Sequence, residues 1–182
     1  MATVDITDAT VATVARRLLG SAGPGGVDSI SLQHWLLWFG VASMGIRQIV
    51  GESGEWMTNG HQPWAVYRAL MLGCLIGLDK CPGVRPVGVG GTWRWMLVNC
   101  MLAVAGVEAN EACGKDQICG GLDAGIEGGI HAVRLLWKQH SQEEEWGFLF
   151  IDTHNAFNEE NHTAMLWAVC HKWPSGERFS LN

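Results

Sequence analysis

Six residues, Trp146-Gly-Phe-Leu-Phe-Ile151, form an apolar run that ends abruptly on a carboxylate, Asp152. Continuous rather than alternating hydrophobicity, over a length too short for a helix, predicts a strand buried on both faces. An ionised Asp at the end of such a strand is costly unless it faces a cleft or a metal. The fold is therefore expected to mix helices with a buried strand whose carboxyl end opens on a site. Phe157 then falls on the turn into the next helix, as a flat wall beside whatever Asp152 positions. A helix-capping Asp with a core Phe is the alternative reading of the same residues.

With 182 residues, the chain is long enough for one substantial core. Twelve Lys and Arg face 18 Asp and Glu, a net charge of −6 that excludes a generic polyanion-coating protein. Charged residues make up only 16% while 48% are hydrophobic, so the chain is folded and its surface is expected to be unusually apolar. The longest unbroken apolar run, Ala69 to Leu78, is too short to span a bilayer, and no secretory leader is recognisable at the N-terminus. These features predict an intracellular protein without a membrane segment. Six cysteines lack C-x-x-C or zinc-finger spacing and read as reduced, buried small hydrophobes.

Local patterns predict a first helix capped by Asp8, with Val11, Val14 and Leu18 on one stripe. A glycine-rich loop over residues 20–29 follows, and then a helix opened by Ser31 that buries Leu32, Trp35, Leu36, Phe39 and Ala42. Residues 51–60 read as turns, and Pro63 as the first position of a short helix reaching about Met71. Strands over 72–78 and 84–89, joined by Cys81-Pro82-Gly83, predict a hairpin. Helices are expected over 92–104 and from Ile126 to near His140, the second amphipathic through Ile130, Val133 and Trp137. Glu143 to Glu145 form a solvated break, Asn158 caps a helix carrying Met165, Leu166 and Val169, a turn covers 173–176, and residues 178–181 start a strand.

Two phosphate-binding patterns fail on inspection. Gly88-Val-Gly90-Gly-Thr-Trp93 puts Trp where a dinucleotide fingerprint needs its third glycine, and Gly114-Lys115 lacks the first glycine and the hydroxyl of a P-loop. A charge asymmetry remains. The window from Lys80 to Val107 holds Lys80, Arg85 and Arg94 and no acidic residue. Lys80 closes one predicted strand and Arg85 opens the next, so a hairpin tip carrying both suits a polyphosphate, solvated turn residues being the alternative.

Phe148-Leu-Phe-Ile-Asp152-Thr-His-Asn-Ala156-Phe157-Asn resembles the first catalytic motif of reverse transcriptases. Leu78-Asp-Lys80-Cys-Pro-Gly-Val-Arg85-Pro86-Val87-Gly-Val-Gly, with the downstream Arg94, is similar to the fingers hairpin of these enzymes. Residues 20–36 resemble the glycine-rich loop and helix upstream of that hairpin, and 117–131 the segment before the catalytic strand. The four matches fall in the family's order and cover most of the chain.

The resemblance implies an α+β right-hand polymerase architecture. Fingers over residues 1–110 would carry a hairpin at 72–89, and a partial palm over 111–182 would carry the catalytic motif at 146–158. It implies RNA-directed DNA synthesis on an RNA or DNA template-primer with dNTPs, in which Asp152 binds Mg2+. Lys80, Arg85 and Arg94 would bind the nucleotide together with Asn155, Ala156 and Phe157, the Phe157 ring excluding a ribose 2′-hydroxyl. The chain contains neither a Gln-Gly-Asp-Pro-like segment nor an Asp-Asp pair, and Cys74, Gly91 and Trp95 stand where related retroelements tend to have Arg, Glu and Arg. It is therefore expected to be a catalytically incomplete fragment that needs the missing palm and thumb. The alternative is a non-enzymatic nucleotide- or template-binding module derived from a retroelement.

Overall fold

A computed structural model describes residues 3–20, 22–114, 117, 123–151 and 160–177. The chain is helix-rich α+β with one two-stranded antiparallel sheet among the described residues. It divides into two compact units, Met1–Gly106 with Pro174–Asn182, and Val107–Trp173.

In the first unit, α1 (Asp8–Arg17), α2 (Ser29–Leu37) and α3 (Val41–Asn59) pack on one another. Thr7, not Asp8, caps α1: its side-chain oxygen accepts from the Thr10 N–H at 3.2 Å. Asp8 is thereby released to face Arg47, 3.4 Å away. Val11 and Leu18 are buried as expected, and Ala15 joins them. Asp28 caps α2 by accepting from the Ser31 N–H at 2.7 Å, which starts the helix two residues before Ser31. That hydrogen bond holds the Asp28 carboxyl below the ordinary Asp range.

Only part of the expected face of α2 is buried. Leu32 and Leu36 enter the core, whereas Trp35 and Phe39 are about half exposed and Ala42 is exposed. Helices α1 and α3 cover one side of α2 and leave the aromatic side to solvent. There His34 contacts Trp38 and Phe39, with ring centroids 5.0 and 4.9 Å apart.

The turns expected over 51–60 are instead the second half of α3. Glycine weakens a helix by about 1 kcal/mol, so local pattern argues for a break. Tertiary packing overrides it. The extended segment containing Val4 and Ile6 crosses α3 so closely that a Cβ at Gly51 would collide with the Ile6 carbonyl oxygen, and one at Gly54 would lie 2.7 Å from Ile6 Cδ1. Asn59 brackets Val4, accepting from its N–H at 2.9 Å and donating to its carbonyl at 2.7 Å, while Glu55 accepts from the Ile6 N–H at 2.8 Å.

Helix α4 (Trp64–Met71) follows Pro63, and β1 (Gly73–Asp79) pairs with β2 (Val84–Gly90) as the predicted hairpin. Helix α5 (Thr92–Cys113) runs nine residues beyond the expected end. Its Met96, Leu97 and Cys100 complete a core with Val4, Ile6, Val11, Ala15, Leu18, Leu32, Leu36, Val50 and Met57. Among the described helices α5 is long and apolar enough to cross a membrane by length and composition. Arg94, Asn99, Glu108, Asn110 and Glu111 interrupt its apolar sequence, so no unbroken apolar run marks it. Of the described cysteines, only Cys100 is buried as expected; Cys74, Cys81 and Cys113 are exposed and Cys170 is half-buried, while Cys119 lies outside the described residues.

In the second unit, α6 (Gly125–His140) forms where expected, but Ile126, Ile130 and Trp137 of its apolar stripe are about half exposed or more. Helix α7 (His162–Lys172) is capped by Asn161, which accepts from the Ala164 N–H at 3.0 Å; Asn158 lies outside the described residues. The predicted buried strand is not formed over 146–151. These residues pair with no described strand, and Leu149, Phe150 and Ile151 are about 80% exposed. A strand requires a ladder partner for its N–H and C=O groups, and β1–β2 is the only ladder among the described residues. The aromatic side chains stack instead, Trp146 on His140 at 4.6 Å and Phe148 on Trp137 at 6.1 Å.

Candidate functional site

The hairpin is closed by the Lys80 N–H donating to the Gly83 carbonyl at 2.9 Å. Gly83 takes φ +99°, a left-handed conformation that a Cβ would strain, so the turn depends on glycine at that point. Register fixes the cations. Leu78 faces Arg85, and Asp79 faces Val84. Strand alternation puts Arg85 on the sheet face of Leu78, Ile76 and Val87, while Asp79 belongs to the other face with Val84. Lys80 and Arg85 thus share the turn end of the hairpin, both exposed, with the nearby carboxylate directed away from Arg85. The ion pairs among the described residues, Arg47–Asp8 and His140–Glu143, involve neither cation.

Arg94 belongs to a different place. It lies on the first turn of α5, and a Cβ at Gly90 would sit 3.5 Å from its Nη1 atom. Gly90 ends β2 five residues beyond Arg85, which at about 3.3 Å per residue separates the base of the hairpin from its tip by roughly 17 Å along the strand. Burial raises the pKa of the Tyr67 phenol, and the positive charge of Arg94 offsets part of that rise.

The glycine-rich loop is fastened to this base. Thr92 Oγ1 donates to the Val27 carbonyl at 2.7 Å, and Ser29 Oγ donates to the Gly20 carbonyl at 2.8 Å. Gly23 lies against the backbone of Gly90 and Gly91 with no room for a side chain. Loop, hairpin base and the first turn of α5 therefore meet in one corner. Beside it lies a cavity of about 590 Å³ bordered by Gly91, Arg94 and Trp95. In the sequence, Gly91 and Trp95 stand out only as departures from a family pattern, which gives no sign that they border a cavity. The available signal is a set of four glycines within residues 83–91 ending beside a Trp-Arg-Trp triplet.

Asp152, Asn155, Ala156 and Phe157 lie outside the described residues. Among the described residues no cluster of three or more His, Cys, Asp or Glu side chains is placed to hold a metal. Magnesium needs several oxygen ligands in near-octahedral order, and the described side chains do not supply them. No family model matches the chain, and no curated protein or solved structure does either.

Proposed function

We propose that this chain is a reverse-transcriptase-like nucleotidyltransferase fragment and that its hairpin tip holds the triphosphate of an incoming deoxynucleotide. The observation that carries the reading is the placement of both Lys80 and Arg85 at one exposed end of a hairpin whose turn and register are both fixed. Lys80 supplies a compact point charge, and Arg85 a planar fork that donates two hydrogen bonds to phosphate oxygens. Together they neutralise charge that accumulates on a leaving pyrophosphate. Supporting the reading further, the glycine loop, hairpin and following helix stand in the order the resemblance implies, with Thr92 of the helix hydrogen-bonded to Val27 of the loop and Gly23 of the loop lying against Gly90.

Asp152 lies outside the described residues and the sequence holds no adjacent Asp pair; on this reading independent synthesis is no part of the chain's role. That role is to bind nucleotide and template-primer within a larger polymerase. Titration of dTTP against the wild type, Lys80→Ala and Arg85→Ala tests this. Each substitution is expected to weaken binding about tenfold, the scale of one charge-assisted hydrogen bond. Equal affinity in all three would remove the assignment.

A further inference from the structure

We propose that the cavity at the base of the hairpin is a second binding site, for a planar apolar monocarboxylate, distinct from the triphosphate site at the tip. The cavity is open on one side and measures about 590 Å³, within the size range of small-ligand pockets. Its walls are apolar: Leu19, Val89, Val98 and the indole of Trp95, with bare backbone at Gly90 and Gly91. Backbone without side chains offers flat peptide surfaces, and Trp95, about half exposed, offers a ring face. A lining of this kind favours a flat ring system as its ligand.

Charge selects the other end of the ligand. Arg94 is the one cation on the described wall; it takes part in neither ion pair found among the described residues, although its charge also acts on the Tyr67 phenol and it borders a neighbouring cavity. The Thr92 hydroxyl, also on the wall, donates its proton to the Val27 carbonyl. One guanidinium fork matches one carboxylate in a bidentate pair. A triphosphate would bring several negative charges against a single cation and an otherwise apolar lining, which leaves most of its oxygens without donors. The tip, roughly 17 Å away along β2 at about 3.3 Å per residue, has the opposite character, with two exposed cations and no enclosure. The two sites therefore differ in ligand, and the cavity does not depend on the polymerase reading.

The probe is 2-naphthoate, compared with its uncharged isostere 2-naphthamide by isothermal titration calorimetry on the whole chain. The wild type is expected to favour naphthoate by about tenfold, a charge-assisted pair against a neutral one. Arg94→Met keeps the apolar stem and should bring the two affinities together. Trp95→Ala, at an exposed position that the core does not use, should weaken both probes alike. Thermal melts of each variant establish that it is folded. Equal affinity for the two probes in the wild type, selectivity that survives Arg94→Met, or no binding at millimolar concentration would each overturn the inference. Displacement of naphthoate by dTTP would also overturn it, by assigning the cavity to the nucleotide.

Discussion

Replacing Gly51 by Ala offers the sharpest test of how this fold is held together, because intrinsic helix propensity and tertiary packing give opposite signs. Alanine inside a helix gains about 1 kcal/mol over glycine. Gly45, in the same helix, has nothing within 4 Å of the position an added methyl would take, so Gly45→Ala is expected to stabilise the protein by roughly that amount. At Gly51 the methyl meets the Ile6 carbonyl oxygen, a backbone atom that cannot rotate away. The N-terminal segment must then move. A small shift costs about 1–3 kcal/mol as overpacking. Full release exposes Val4 and Ile6, now 4% and 3% exposed, at about 2 kcal/mol each. It also loses the hydrogen bonds to Asn59 and Glu55, at about 1 kcal/mol apiece. Net of the roughly 1 kcal/mol that helix propensity returns, Gly51→Ala should therefore destabilise by up to about 2 kcal/mol after a small shift and by about 6 kcal/mol after full release, lowering Tm by roughly 2–4 °C for each kcal/mol. Urea and thermal unfolding followed by circular dichroism read both variants. A stabilised Gly51→Ala, or two variants shifted in the same direction, would refute the placement of the N-terminal segment on α3.

Other consequences follow from single contacts. Thr92→Val removes the hydrogen bond to Val27 and should cost about 1 kcal/mol, seen as faster amide exchange in the glycine-rich loop; unchanged exchange would mean that the loop is not fastened there. Burial pushes the Cys100 thiol up to about 12 from 9.0, so the folded state resists its ionisation. That contribution is intact below pH 9.0 and is lost as pH rises towards about 12, and Cys100→Ala should flatten this alkaline loss while a thiol reagent labels Cys74, Cys81 and Cys113 before Cys100. Asp28 has the opposite sign. Its folded pKa lies below 3.8, so the stabilisation it gives α2 is present above that value and disappears as pH falls through the lowered pKa; Asp28→Asn should remove this acid dependence in thermal melts.

Residues whose structure is decided by their neighbours in sequence are legible in the chain alone. The hairpin is the clearest case, since the Pro-Gly turn and two short apolar runs specify it locally, and Lys80 and Arg85 share its tip by register alone. Helices α1, α4 and α6, the loop over 22–28 and the core positions Leu32 and Leu36 are equally accessible, because caps, breakers and periodicity act within a few residues. Tertiary contact decides the rest. Gly51 and Gly54 read as breakers until Ile6 lies across them, for the same missing side chain that weakens a helix also admits a second backbone. The apolar run at 146–151 shows the converse: hydrophobicity gives a segment the capacity to be a strand, but only a partner with unpaired N–H and C=O groups makes it one. Likewise the sequence supplies Arg94 as one more cation of a basic window. Its separation from the tip, and the cavity it borders, come from the length of β2 and the packing of the loop against Gly90.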